Sequence, residues 1–197
     1  MLKYSFNQYS SLAAVSAGIV GFLYAVSFVV LKNPAMSALF LGLQGLIAIP
    51  VMVVLYQKVK AVEENFALIA LILGIIGSVG LLIHGGYDLA NVINPPAAAN
   101  LDLPNQVDPR GLLAFGVSGL AILKFSWLLS KIKGFSVSFS TLGMISGLLL
   151  IEIYLARLIV LSPARPILLY PVLIEGFAVN PIWYIWLGSI LGGKKAS

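Results

Sequence analysis

The single histidine of this 197-residue chain, His84, stands four residues ahead of Asp88 and seven ahead of Asn91, in the stretch I-H-G-G-Y-D-L-A-N-V-I-N-P-P from Ile83 to Pro96. At about 100° per helical residue the three fall within an arc of roughly 60°, so a helix continuing to residue 93 carries them as one polar ridge. A carboxylate one turn from an imidazole orients the ring and can share a proton with it, which a proton relay, a general base or a ligand-binding site requires. A plainer reading sets Asp88 and Asn91 at the headgroup level, with His84 bonded to a neighbouring carbonyl.

Four further polar residues join this group as candidates. Glu152 lies near the middle of a long apolar run, far from either surface, and needs a partner or a proton. Arg157 is about 140° around the same helix from it, to snorkel outward or to pair with an acid of another helix. Glu175 and Asn180 stand between Pro171 and Pro181, which free backbone carbonyls to line a cavity or simply kink the helix. His84, Asp88, Asn91, Glu152, Arg157, Glu175 and Asn180 are all expected on one side of the membrane midplane. The other half is expected to be almost wholly apolar apart from Lys124, which can snorkel to the near surface. That asymmetry predicts a pocket open to the outside, walled by Tyr87, Tyr154, Trp183 and Tyr184, with Trp186 beside them. Tyrosine and tryptophan also collect at membrane interfaces for no further purpose.

The elements that must position these residues follow from composition. Hydrophobic residues make up 60% of the chain and charged residues 10%, with a mean hydropathy of +1.02, whereas about a quarter of a soluble domain is charged. The chain belongs in a bilayer, as an all-α polytopic bundle. The net charge of +5 comes from lysines scattered between apolar runs, with no basic helix to follow a phosphate backbone, which argues against nucleic acid. The absence of cysteine removes disulfides and thiolate metal sites, and one histidine excludes a three-histidine zinc site within one copy. No metal is expected, and no cofactor can be assigned.

Six spans are expected, since roughly 20 apolar residues cross the hydrocarbon core. They run over about 12–31, 36–56, 66–93, 111–130, 139–161 and 168–191, forming a single domain. The first is longer than the apolar region of a cleaved signal peptide. Lys32-Asn33-Pro34 closes it, and Pro50 should kink the second. Gly74, Gly77 and Gly80 in the third and Gly143-x-x-x-Gly147 in the fifth offer bare faces to neighbouring helices, the chain's own or those of membrane-protein partners. A Pro-rich loop, 94–109, is the longest connection. The recurrence of Asn-Pro at residues 33, 94 and 180 hints at two inverted three-helix halves.

Six crossings put Lys3, Lys58, Lys60, Lys131, Lys133, Lys194 and Lys195 on one side, against Lys32, Arg110 and Arg165 on the other. The positive-inside rule then makes both termini cytoplasmic.

This layout, with an acid at Glu175 ahead of the last helix and the closing pattern N-P-I-W-Y-I-W-L-G-S-I-L, resembles a family of bacterial multi-pass membrane proteins of unknown function. The resemblance covers nearly the whole chain and implies a bacterial cytoplasmic-membrane location, but no activity. Three classes of function stay open. The first is a non-enzymatic binder or carrier of a proton or small solute. The second is an accessory subunit of a larger membrane complex, with His84 contacting a prosthetic group. The third is an intramembrane enzyme, for which no nucleophile or metal motif stands out.

Overall fold

The computed structural model describes residues 5–95, 112–160 and 164–193. Among these the regular elements are all helical. Helix α1 (Phe6–Ala25) runs into a π turn over Val26–Val30. Then come α2 (Pro34–Val59), α3 (Glu64–Ile93), α4 (Leu112–Leu129) and α5 (Val137–Ile159). The last span is composite: α6 (Pro166–Ile174), a π turn over Glu175–Val179, and α7 (Asn180–Gly192). Five of these spans are long and apolar enough to cross a membrane, and a shorter apolar helix lies at Leu113–Leu129. Large side chains such as Leu12, Ile19, Ile76 and Leu148 are exposed on the outside of the bundle, which suits a bilayer rather than water.

Local chemistry fixes the helix ends. Ser5 forms a capping box with Gln8, so α1 begins six residues earlier than the apolar run alone indicates. Lys32 closes the first span in the left-handed region, at φ 48°. Asn33 then accepts the Met36 amide at 3.0 Å and Pro34 takes the first helical position of α2. Pro50 is accommodated inside a continuous α2, and the Ser10 hydroxyl of α1 donates to its carbonyl at 3.5 Å.

Each span packs antiparallel on the next, and α1 closes the ring against α7. Glycine sets how close they come. A Cβ at Gly85 would lie 2.6 Å from the Ala38 carbonyl oxygen, and one at Gly45 would lie 2.5 Å from that of Ser78, so α2 and α3 touch backbone to backbone. Gly119 of α4 and Gly147 of α5 meet in the same way. The expected glycine stripe of α3 is used within the chain: Gly74 receives Met52 of α2, while Gly77 and Gly80 receive Ser118 and Ala114 of α4.

One end of the bundle carries Lys58, Lys60, Lys131 and Lys133 and is called the basic end here. The half next to it holds the main apolar core, built around Met52, Leu55, Phe125, Phe139, Trp183 and Leu187. Lys124 reaches toward that end, its ammonium 5.1 Å from the centre of the Phe66 ring. A smaller cluster of Leu41, Leu81 and Ala114, with Tyr24 and Phe115 packed on it, fills part of the far half. Lys3, Arg110, Lys194, Lys195 and the loop from residue 96 to 109 lie outside the described residues.

Candidate functional site

The break in the last span places Glu175. Pro181 has no N–H to donate, and in a regular helix its ring presses on the carbonyl four residues back, at Phe177. Widening the turn before it relieves both, and the Asn180 amide bonds to the Glu175 carbonyl in the five-residue π pattern. Glu175 and Asn180 therefore both face the interior, 3% and 8% exposed.

Their side chains join helices from across the bundle. The Ser146 hydroxyl of α5 donates to Glu175 Oε1 at 2.6 Å, and Asn180 Nδ2 donates to the same oxygen at 3.1 Å. Gln44 Nε2 of α2 donates to Asn180 Oδ1 at 3.3 Å. Gly21 of α1 makes room for this amide, since a Cβ there would lie 2.6 Å from Gln44 Nε2. Glu175 Oε2 is buried with no hydrogen-bond partner among the described residues. Both donors thus serve one oxygen and none the other. A carboxylate ion has two equivalent acceptor oxygens, whereas a carboxylic acid has one carbonyl acceptor and one hydroxyl. The donor set fits the acid, with its hydroxyl at Oε2.

Toward the far end His84 and Asp88, two of the expected ridge residues, meet on α3. His84 Nε2 lies 3.2 Å from Asp88 Oδ2, with His84 buried (7%) and the Asp88 side chain 41% exposed. Asn91 follows one turn on, half-buried. Tyr24 of α1 comes within electrostatic reach of Asp88, and it lies one turn beyond Gly21, the glycine that makes room for Gln44. The His84–Asp88 pair therefore sits toward the far end, and the Glu175 group lies nearer the middle of the bundle.

Glu152 does not join them. It is exposed on the outer face of α5, in a groove of about 400 Å³ lined by Leu149, Pro166, Tyr170 and Ile174. Arg157 donates from Nη1 to the Val160 carbonyl at 3.1 Å, at the end of its own helix. Of the expected walls, Tyr87 is 49% exposed and Tyr154 covers Gly116 of α4. Trp183 and Tyr184 are core residues, Trp183 stacked on Phe139 with ring centres 5.8 Å apart. Tyr184 is within electrostatic reach of Glu175.

Gln44, Ser146 and Tyr24 were not among the expected site residues. Gln44 carried a readable signal, being the one strongly polar side chain in the middle of α2. Ser146 carried little, because serine is common in membrane helices. Among the described residues no group of three or more His, Asp or Glu side chains is placed to hold a metal ion. Comparison with family models, curated proteins and solved structures finds no match to this chain, so its function is argued from its own residues.

Proposed function

We propose that the chain is a non-enzymatic polytopic membrane protein that binds or carries a proton or small solute at Glu175, entered from the far end past Asp88 and His84. One observation carries this: a buried carboxyl group in a membrane-type bundle, with two donors on one oxygen and none on the other. Ionisable side chains are rare inside membrane bundles and usually mark ion or substrate paths. The lysines at 58, 60, 131 and 133 support a cytoplasmic basic end, which turns the His84–Asp88 side away from the cytosol. A bacterial cytoplasmic membrane, and membership of the family resembled above, belong to the same proposal.

The accessory-subunit reading has less support, because most glycines of α2, α3, α4 and α5 are packed against neighbouring helices of the same chain. To test the proposal, the protein is reconstituted in liposomes and proton uptake is followed with an enclosed pH dye. Glu175→Gln should abolish uptake while leaving the protein folded. Uptake equal to that of the unaltered protein would remove Glu175 from the mechanism.

A further inference from the structure

In a membrane helix a serine hydroxyl can satisfy itself on a carbonyl one turn back. Ser37, Ser130 and Ser189 do so, at 3.0, 2.7 and 3.0 Å. Ser126 of α4 and Ser140 of α5 do not: both are 0% exposed, and neither hydroxyl has a partner among the described residues. The Trp183 indole Nε1 of α7 is in the same condition. Two of the three meet at Gly143, and the third lies one turn along the same helix. A Cβ built on Gly143 would strike both Ser126 Oγ and Trp183 Nε1, so hydroxyl and indole converge on that bare stretch of α5. Ser140 lies one turn to one side of Gly143 on the buried face, and Ser146, the donor to Glu175, lies one turn to the other. Each step rises about 4.5 Å along α5.

Buried polar atoms are rarely left unpaired, because each costs the hydration it has lost. Two converging at Gly143, a third one turn away along α5 and a fourth at Glu175 Oε2 beyond Ser146 call for a ligand that both donates and accepts. The Trp183 indole only donates and a hydroxyl does both, so the complementary molecule is water.

We propose that Ser126, Ser140 and the Trp183 indole bind water inside the basic half of the bundle, and that this water joins Ser146 and Glu175 to the basic end. The proposal rests on Glu175 as the proton-accepting group. It makes the ligand a proton and the site a passage rather than a blind pocket. Glu175 Oε2 gives its proton to a neighbouring water, which hands another along the hydroxyls, and the resulting carboxylate takes a proton from the far end. Only O–H bonds break and form, and nothing is oxidised or reduced. Trp183 anchors the water and passes nothing on.

The test uses the whole protein, in nanodiscs and in liposomes. With ¹⁵N-labelled tryptophan, the Trp183 indole resonance, assigned by its loss in Trp183→Phe, should show a cross-peak to water. Ser126→Ala combined with Ser140→Ala should remove that cross-peak. These alanines delete no side-chain hydrogen bond among the described residues and should fold, whereas Gly143→Ala presses on its neighbours and serves only as a second variant. In liposomes the same serine pair should lower proton flux about tenfold or more, since the two limbs act in series. A dry Trp183 indole, or a hydrated one with flux unchanged in the serine pair, overturns the proposal. A wild-type flux that is unaffected by Glu175→Gln overturns the reading of Glu175 itself, and the water cross-peak separates the two failures.

Discussion

Replacing Glu175 by leucine and by glutamine separates the two protonation states that a buried carboxyl group can hold. Leucine fills a similar space but leaves the Ser146 hydroxyl and the Asn180 amide without their common acceptor. Interhelical hydrogen bonds in membranes average about 0.6 kcal/mol and reach about 1.7, so losing two should cost about 1 to 3 kcal/mol. Glutamine keeps an oxygen where Oε1 accepts both bonds and puts an amide N–H where a neutral acid has its hydroxyl. It should therefore fall within about 0.5 kcal/mol of the unaltered protein. Ser146→Ala, which removes one donor of the pair, should lie between them. Reversible unfolding in bicelles gives all three values, with a helix-content signal as readout. If glutamine destabilises as much as leucine, the carboxyl group is held as an ion and the acid assignment fails. If leucine costs nothing, the two bonds carry no stability.

The remaining expectations are simpler to check. Gly85→Ala should destabilise by about 1 to 3 kcal/mol, because its Cβ meets backbone atoms of Gly42 and Ala38 that cannot rotate away. The adjacent Gly86→Ala, with nothing within 4 Å of its Cβ, should gain about 0.5 to 1 kcal/mol from helix propensity; equal effects in the same unfolding assay would deny the tight α2–α3 contact. Glu152→Leu should raise the thermal midpoint in nanodiscs and leave proton uptake unchanged, since this carboxylate faces outward; loss of uptake would bring it back into the site. The chain has no cysteine, so single cysteines report topology directly. One at Ser130 should react with an impermeant maleimide only after the membrane is opened, and one at Asn33 should react in intact cells. The reverse pattern would invert the proposed orientation.

Much of the bundle was legible because apolar run length is a strong signal. Helices lie over all six expected runs, most of their limits within a few residues, and five of them are long and apolar enough to cross a membrane, while Pro34 follows an extended Asn33 as expected. The start of α1 was missed because Asn7, Gln8 and Tyr9 look like a polar tail, while Ser5 and Gln8 are in fact a cap. The π turns were not legible, since a proline announces a missing donor but not how the chain will accommodate it. At the site, the direction in which Glu152 points was misread. Glu152 was chosen because it lies deep in its span, but Ser140, Gly143, Ser146 and Gly147 mark the packed face of α5. Glu152 is six residues beyond Ser146, about 120° away around the helix. The small residues held that information, and the charge drew attention from it.

Closure of the ring by α1 and α7 bears on biosynthesis. The face that α1 turns inward is made of Ser10, Ala13, Ala14, Ala17, Gly18 and Gly21. Gly188 seats Val15, and the Ser11 hydroxyl donates to the Gly188 carbonyl at 2.7 Å. That partner is synthesised after the other helices described above. Until it emerges, α1 can lean only on α2, and its small-residue seam stays open to lipid or to any passing helix. A ribosome stalled before residue 180 should therefore leave an intermediate vulnerable to membrane proteases, and emergence of α7 should be the event that ends the exposure.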